Sequence, residues 1–324
     1  MAEISDKPRL VTVFGGSGFL GRHVVRALAR RGYRVRVAVR RPDLAGHLQP
    51  LGTVGQIHAV QANLRFRASV DRAVQGADAV VNLVGILAGS GAQTFDAVHA
   101  FGARAVAEAA RAAGIGRLVH VSAIGADAAS ASGYARSKAA GEAAVRETVP
   151  GAVILRPSIV FGPEDDFFNR FADMARFSPV LPAIGGGETR FQPVFVGDVA
   201  EAVARAVDGA VPAGVVELGG PEVVTFREVM ERVCRETGRK RAIVSVPFGI
   251  AELAAKLTGW LPGAPITADQ VELLKTDNVV SDAATAEGRT LAGLGIVPHT
   301  MAAILPTYLY RYTVHGQYDR HKAV

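Results

Sequence analysis

The chain has 324 residues, of which 49% are hydrophobic, a single cysteine, and a formal net charge of +6. This length and apolar content are enough for a large core, and the lone Cys234 excludes an internal disulfide and is typical of a reducing compartment. Because no run reaches roughly 18 apolar residues and the N-terminus lacks a signal-peptide pattern, the sequence predicts neither a transmembrane span nor secretion.

The first half of the chain alternates short strand-like runs with helical runs, which is the pattern of a parallel sheet with crossover helices. Strands are predicted at residues 9–14, 33–39, 55–60, 77–85, 116–122 and 152–162. Helices are predicted at residues 19–31, 68–76, 94–113 and 132–148. We therefore predict an α/β fold with a doubly wound, Rossmann-type parallel sheet.

Beyond about residue 160 the alternation loosens. The sequence predicts a strand and a helix capped by Asp198 over 191–207, a strand over 213–220, a helix over 225–238, and proline-broken helices over 242–312. The late return of strands near 191–220 predicts a smaller C-terminal lobe that is interwoven with the Rossmann domain. We place the Rossmann domain at 1–160 and a substrate or docking lobe at 161–324.

The run VFGGSGFLG places three glycines at a spacing of three, between the first strand and the first helix. Gly15 suits the tight exit turn, Gly18 lets the backbone approach a pyrophosphate, and Gly21 lets the helix pack on the sheet. The helix N-terminus adds free N–H groups and the positive end of its dipole. In this βαβ context the glycines predict a dinucleotide site.

The end of the second strand indicates which dinucleotide binds. A carboxylate there would bind the ribose 2′-OH of NAD, whereas this chain has Arg40 and Arg41, with Asp43 only after Pro42. Guanidinium groups match the geometry of a phosphate. The sequence therefore predicts NADP(H) rather than NAD, the alternative being two arginines that merely end a strand in an arginine-rich stretch.

The run SGYARSKAAGE places Tyr134 and Lys138 four residues apart, and therefore on one face of a helix. A nearby ammonium group favours the phenolate and lowers the pKa of tyrosine. The pair can then act as a general acid and base while a nicotinamide carries the hydride. The alternative is that the pair binds the nucleotide without catalysing a reaction.

The glycine loop, YARSK and LRPSIVFGPED together resemble the extended short-chain dehydrogenase/reductase family over residues 9–220. The runs TFDAVHAFGARAVAEAA, RFQPVFVGDVAEAV and ITADQVELLKTDNVVS are similar to one subgroup in order and spacing. That subgroup is the NADPH-binding accessory subunit of respiratory complex I with its bacterial relatives. The resemblance therefore extends over most of the chain.

The resemblance implies cofactor contacts at specific positions. The pyrophosphate and nicotinamide half would be lined by Gly15, Gly18, Phe19, Leu20 and Gly21, and the 2′-phosphate would be met by Arg40. The adenine would lie at Asn63 and Leu64, the adenosine beside Val84 and Gly85, and the nicotinamide amide near Pro157, Ser158 and Ile159. Lys138 would also hold the nicotinamide ribose.

The family's third catalytic group is a serine or threonine, and Ser122, at the end of the fifth strand, is the candidate. In extended relatives the hydroxyl often lies about two residues further on, where this chain has Ile124 and Gly125. Ser130 and Ser132 are looser alternatives. His99 takes a position often held by asparagine, and we interpret it as a hydrogen-bonded packing residue.

The resemblance implies an accessory subunit of complex I with a structural NADP(H), complex I subunits as partners, and a cytoplasmic location peripheral to the inner membrane. One alternative is an active NADPH-dependent reductase or epimerase of a small carbonyl or nucleotide-linked substrate. Another is a sensor of the NADP(H) redox state.

The last third of the chain is expected to dock on a partner or make peripheral contact with a membrane. Tyrosine and tryptophan suit such a surface, and the residues expected there are Trp260, Leu305, Tyr308, Leu309, Tyr310 and Tyr312. The alternative, above all for Leu305, is that these residues complete the core of the second lobe. No HExxH, clustered Cys/His or paired-carboxylate pattern indicates a metal. With 6% aromatic residues and no stacking platform, the sequence does not indicate nucleic acid binding.

Overall fold

The computed structural model describes residues 9–89, 91–258, 266–314 and 316. The strands are β1 (Leu10–Phe14), β2 (Arg34–Val39), β3 (Ile57–Gln61), β4 (Ala79–Asn82), β5 (Leu118–Val121), β6 (Val153–Pro157), β7 (Val160–Phe161), β8 (Val180–Ile184), β9 (Arg190–Phe191), β10 (Val194–Phe195), β11 (Gly214–Leu218), β12 (Val224–Thr225) and β13 (Ala242–Val246). The helices are α1 (Phe19–Arg30), α2 (Arg67–Val74), α3 (Phe101–Ala112), α4 (Gly133–Thr148), α5 (Phe167–Phe177), α6 (Val196–Asp208), α7 (Phe226–Glu236), α8 (Phe248–Thr258), α9 (Ala268–Leu273), α10 (Asp282–Ala286), α11 (Met301–Ile304) and α12 (Pro306–Leu309). A π-helical turn, Asp96–Ala100, leads directly into α3.

The central sheet has the strand order β11-β6-β5-β4-β1-β2-β3. Strand β1 pairs in parallel with β2 on one side and with β4 on the other. The strand order therefore reverses between β1 and β4, which is the switch point at which such sheets bind ligands. This confirms the predicted Rossmann-type fold, and every strand predicted in the first half overlaps an observed one.

The chain folds into two compact units. The first unit comprises the chain up to Arg156 together with Val199–Val216. The second unit comprises Pro157–Asp198 and the chain from Glu217 onward. In the first unit both faces of β1 are covered, because Val11 and Val13 are fully buried and so is the intervening Thr12. The Thr12 hydroxyl donates to the Ala73 carbonyl at 2.8 Å, so its polar group is satisfied in the core.

The second unit is built from α5, α7 and three small sheets that pair β10 with β7, β12 with β9 and β13 with β8. Helix α7 begins at a capping box, in which Thr225 and Glu228 satisfy each other's backbone N–H groups. Its buried face, which includes Met230, packs into a core with Phe191 and Phe226. The threonine N-cap of this helix is as predicted.

Two expectations about secondary structure in the second half are wrong. Residues 242–246 form a strand rather than a helix, because this β-branched run pairs in parallel with β8. Asp198 does not cap α6 but lies inside it, where its carboxylate accepts from the His299 backbone N–H at 2.8 Å and contacts the His299 ring. Helix α5 and strand β8 are elements that the sequence does not predict.

A third correction concerns three of the six residues that were expected to dock, whereas Tyr310 and Tyr312 are half-buried. Leu305, Tyr308 and Leu309 are buried in a core of the second unit, with at most 4% exposure. The Tyr308 hydroxyl donates to Asp165 Oδ2 at 2.6 Å, so this side chain holds the C-terminal helices within the unit. Trp260 lies outside the described residues. None of the described helices could span a bilayer.

Candidate cofactor site

The loop between β1 and α1 is shaped to receive a phosphate group. Gly15 has a φ of +78°, a left-handed conformation that favours glycine, and its carbonyl accepts from the Gly18 N–H at 3.1 Å. Gly18 is the N-cap residue of α1, and no side chain caps this helix. The first-turn N–H groups therefore remain available to an anion.

Two further glycines bring α1 close to the loop. A Cβ atom at Gly21 would lie 2.3 Å from the Gly15 carbonyl oxygen, so no other residue fits there without moving the backbone. A Cβ at Gly16 would lie 2.8 Å from Val37 Cγ1 of β2. The sequence prediction omits Gly16, although the GG doublet is the signal that could have indicated it.

The two arginines at the end of β2 have different surroundings. Arg41 is bound to Asp43, with 2.7 Å between Nη2 and Oδ2 and 3.0 Å between Nε and Oδ1. Asp43 raises the pKa of Arg41, and Arg41 lowers that of Asp43. Arg40 is exposed, and its guanidinium group has no hydrogen-bond or ion-pair partner among the described residues. Arg40 is therefore the cation that a 2′-phosphate could bind.

The exit of β4 borders the glycine loop, and the residues after β3 form a turn of their own. The Val84 side chain lies against Gly15, where an added Cβ would be 3.2 Å from Val84 Cγ2. Asn63 stabilises its own turn, because its side-chain oxygen accepts from the Arg65 N–H at 3.2 Å. Leu64 is buried and packs on Gly102 of α3. Asn63 and Leu64 therefore shape the turn that follows β3. The role predicted for them at the adenine stays a prediction.

Lys138 is buried on α4, and its ammonium group donates to the Val121 carbonyl at 3.3 Å. Its Nζ lies 5.8 Å from the centre of the Tyr134 ring, so the structure brings the predicted pair together. Burial lowers the pKa of Lys138 to about 8, and the Glu142 carboxylate opposes this shift. Glu142 is itself held by two hydrogen bonds from Arg156, at 2.8 and 2.7 Å.

His99 connects the exit of β4 to α4. The Ile86 N–H donates to its Nε2 at 3.0 Å, which makes Nε2 the acceptor and assigns the ring proton to Nδ1. Nδ1 then donates to Ser137 Oγ at 2.9 Å, and the Ser137 hydroxyl donates to the Tyr134 carbonyl at 2.8 Å. Burial, and then the positive charge of Lys138, lower the pKa of His99 to about 3.

Close packing fixes the Tyr134 ring on the same network. Its ring is edge-on to His99 at 5.3 Å and to Phe95 at 5.9 Å, measured between ring centres. Gly141 lets α4 approach the π-helical turn, because a Cβ there would lie 2.3 Å from the His99 carbonyl oxygen. The predicted role of His99 as a hydrogen-bonded packing residue agrees with these contacts, and its ring also packs directly against Tyr134.

Ser122 follows β5 and is 3% exposed. Its N–H donates to the Leu155 carbonyl at 2.8 Å, yet its hydroxyl has no hydrogen-bond partner in the described part of the chain. An unpaired buried hydroxyl is unfavourable by about 1–3 kcal/mol, so such groups often face a ligand. The alternatives serve local structure, because Ser132 caps α4 and Ser130 accepts from the Ser132 N–H.

In the second unit the predicted nicotinamide-proximal run is Pro157, Ser158 and Ile159. The Ser158 hydroxyl lies 2.7 Å from Asn278 Oδ1 and 2.9 Å from the Asn278 carbonyl oxygen, to which it can donate. It also accepts from the Gln192 N–H at 3.3 Å. The side chain of Ser158 therefore anchors the segment around Asn278, and the contacts of this run with a nicotinamide stay a prediction.

A Rossmann sheet, a glycine loop before an uncapped α1, and a Tyr–Lys pair together define a protein that binds a nicotinamide dinucleotide. The residues present fit this cofactor. The chain belongs to the NAD-dependent epimerase/dehydratase family, whose model matches residues 11–219.

The similar proteins include both a respiratory subunit and an enzyme. The mitochondrial NADH dehydrogenase (ubiquinone) 1 alpha subcomplex subunit 9 of Arabidopsis thaliana is 36% identical over 95% of this chain and 79% of its own length. A ceramide reductase of Caulobacter vibrioides is 36% identical over 88% of this chain and 90% of its own. An NADPH-dependent quinone oxidoreductase of Escherichia coli has the same fold, with a TM-score of 0.73, 22% identity, and coverage of 93% of this chain and 99% of its own.

Proposed function

We propose that the chain is an NADP(H)-binding accessory subunit of respiratory complex I, in which the nucleotide stabilises the fold. The observation that carries this proposal is the 36% identity to the plant subunit over 95% of the chain. That similarity extends beyond residue 219, where the family model ends, into the C-terminal part. The proposed partners are complex I subunits, and the proposed location is the cytoplasmic side of the inner membrane, peripheral to it.

The choice of NADP(H) over NAD is supported by Arg40. Its guanidinium group is exposed and unpaired within the described ranges, whereas Arg41 is neutralised by Asp43. A 2′-phosphate would form charge-assisted hydrogen bonds with Arg40. No carboxylate occupies the end of β2, where NAD-specific proteins bind the ribose 2′-OH.

The chain's own residues have separable roles in this site. The α1 N-terminus and the glycine loop would hold the pyrophosphate, and Lys138 would hold the nicotinamide ribose. When bound, the nicotinamide supplies hydride-transfer chemistry. The Tyr134 ring is held by packing against His99 and Phe95, so its hydroxyl has a fixed place from which to donate or accept a proton.

Purification from native membranes tests the proposal. The chromosomal gene would be tagged, the membranes solubilised in a mild detergent, and the tagged protein isolated. We expect co-purification with NADH dehydrogenase activity and stoichiometric NADPH in the denatured extract. Isolation of the protein without any other respiratory subunit would contradict the proposal, whether or not nucleotide is bound.

A second candidate function is an NADPH-dependent carbonyl reductase, which one specific observation favours. The Ser122 hydroxyl is buried without a partner among the described residues, as expected for a group that awaits a substrate carbonyl. The similarity to a ceramide reductase makes lipid carbonyls a suitable class for a substrate screen. Substrate-dependent NADPH oxidation that Tyr134→Phe abolishes would favour this function over the accessory role.

A further inference from the structure

Lys138 places a positive charge in the interior of the first unit. The residue is 5% exposed, and its ammonium group donates to the Val121 carbonyl at 3.3 Å, the single acceptor that it reaches in the described part of the chain. A Cβ atom at Gly85 would lie 3.4 Å from Lys138 Nζ, so the ammonium group borders the exit of β4. One long hydrogen bond compensates little of the lost hydration, and such a charge needs a counter-charge nearby.

Glu142 has the position for that role. It lies four residues after Lys138, and therefore on the same face of α4, and it is fully buried. A buried carboxylate needs an opposite charge as much as a buried ammonium group does. Both Glu142 oxygens accept their hydrogen bonds from Arg156, so the carboxylate acts on Lys138 through space rather than by a hydrogen bond of its own.

Arg156, on β6, fixes this carboxylate in a two-bond fork. Its Nε donates to Glu142 Oε1 at 2.8 Å, and its Nη2 donates to Oε2 at 2.7 Å. The Glu142 side chain is 1% exposed, so solvent does little to screen its charge. The guanidinium group of Arg156 therefore orients the carboxylate and at the same time offsets part of its effect on Lys138.

The histidines packed around the ammonium group do not compensate its charge. His99 on the π-helical turn and His120 on β5 both have a pKa lowered to about 3, first by burial and then by the charge of Lys138, and are neutral at neutral pH. Tyr134 lies on the same helix, with its ring centre 5.8 Å from Nζ. Burial lowers the pKa of Lys138 to about 8, and Glu142 is the group that opposes this shift.

We propose that Glu142 and Arg156 are positioning residues of the cofactor site. Glu142 is the counter-charge that keeps Lys138 in its ammonium form at neutral pH, and Arg156 fixes that carboxylate and limits its effect. The inference rests on the proposed function only in that Lys138 would hold the nicotinamide ribose. The Lys–Glu–Arg triad itself would serve an accessory subunit and a reductase alike.

The triad predicts shifts of opposite sign for its two partners. Glu142→Gln removes the counter-charge but keeps an acceptor for Arg156, so Lys138 should titrate about one pH unit lower than in the unaltered chain. Arg156→Gln removes the competing positive charge, so Lys138 should titrate higher, whereas the conservative Arg156→Lys should leave the titration nearly unchanged. A merely structural role would admit water to the site in both glutamine variants and would raise the pKa of Lys138 in both.

An NMR titration of the full chain measures these shifts without nucleotide. The chain has six lysines, so selective labelling with [ε-¹³C]lysine gives few signals, and the signal lost in Lys138→Arg is that of Lys138. An unchanged or higher titration of Lys138 in Glu142→Gln would overturn the proposal. If Glu142→Gln does not fold, the Arg156 variants decide, and an unchanged titration in Arg156→Gln would overturn it equally.

The matched control is Glu108→Gln, which removes the same charge from α3. Glu108 is also paired with an arginine, since Arg67 Nη1 donates to its Oε2 at 2.6 Å, but its side chain is 34% exposed. We expect this variant to leave the titration of Lys138 unchanged, because exposed charges are screened by solvent. Equal downward shifts in Glu108→Gln and Glu142→Gln would show that only net charge matters and would overturn the proposal.

NADPH titration separates the triad from the proposed function. In Glu142→Gln at pH 8 the charged fraction of Lys138 should fall from about a half to about a tenth, so NADPH affinity should fall about fivefold. A lowered titration of Lys138 with unchanged NADPH affinity would support the triad and contradict the role of Lys138 in nucleotide binding. An unchanged titration would overturn the triad, whatever the NADPH affinity.

Discussion

Arg41 and Asp43 form an ion pair across Pro42, with 2.7 Å between Nη2 and Oδ2, and this pair leaves Arg40 as the available cation at the end of β2. We predict that Arg40→Ala weakens NADPH binding at least about tenfold, because a charge-assisted hydrogen bond contributes about 1.5–3 kcal/mol. NADH binding should change little. Isothermal calorimetry with both nucleotides measures the two effects.

The control for this prediction is Arg41→Ala with Asp43→Ala, which removes the ion pair without leaving an uncompensated carboxylate. NADPH affinity should stay within about threefold, because the pair is exposed and such pairs contribute little. Equal affinities of the unaltered chain for NADPH and NADH would remove the basis for the assignment to NADP(H).

A second prediction concerns the pH dependence of nucleotide binding. Burial lowers the pKa of Lys138 to about 8, so its ammonium group loses its proton as the pH rises through that value. NADPH affinity should therefore be high near pH 7 and fall between about pH 7.5 and 9. Fluorescence titration at several pH values gives the profile.

Two variants of α4 test the origin of that profile. Lys138→Ala should weaken binding at pH 7 and flatten the profile, because the titrating group is gone. Tyr134→Phe should leave both affinity and profile nearly unchanged, since the phenol is predicted to face the substrate side. A profile that persists in Lys138→Ala would assign the titration to another group.

The sheet is predictable from sequence because strands that are buried on both faces read as uninterrupted apolar runs, as in β1 and β4. Strand β13 is not predictable in this way, because its β-branched run becomes a strand only by pairing with β8. The prolines and the alanine-rich helix that follow it make the surrounding sequence resemble a series of short, broken helices. Local pattern therefore indicates the first unit much better than the second.

The candidate site, too, is predictable from the sequence only in part. The glycine loop and the Tyr134–Lys138 pair follow from spacing alone. The bond between His99 and Ser137 joins residues 38 positions apart, and no local pattern indicates it. The difference between Arg40 and Arg41 depends on a side-chain pairing with Asp43, which the sequence allows but does not require.

A third prediction concerns acid stability. His99 stays neutral in the folded chain because its pKa is lowered to about 3, whereas in the unfolded chain it is protonated below about pH 6.5. The unfolded state then binds more protons, so the free energy of unfolding falls as the pH falls from about 6.5 towards 3. His120 adds a second contribution of the same sign, since burial also lowers its pKa to about 3.

The variant His99→Asn isolates one of these contributions. An asparagine can still accept from the Ile86 N–H, and the slope of unfolding free energy against pH between about 6 and 4 should decrease by about 1.4 kcal/mol per pH unit. The control is His58→Asn, at an exposed position on β3, which should leave the slope unchanged. Urea denaturation at several pH values measures the slopes, and identical slopes for His99→Asn and the unaltered chain would refute the assignment.

The last prediction concerns the contact between α4 and the π-helical turn. In Gly141→Ala the new Cβ would lie 2.3 Å from the His99 carbonyl oxygen, so α4, which carries Tyr134 and Lys138, must move away from the turn that packs against the Tyr134 ring. We expect a loss of about 3 kcal/mol in unfolding free energy and weaker NADPH binding. Gly249→Ala on α8 is the matched control, because a Cβ there meets nothing within 4 Å and alanine favours a helix by up to about 1 kcal/mol. Urea denaturation and NADPH titration of both variants measure these effects. A Gly141→Ala variant as stable as the unaltered chain would show that α4 adjusts without strain.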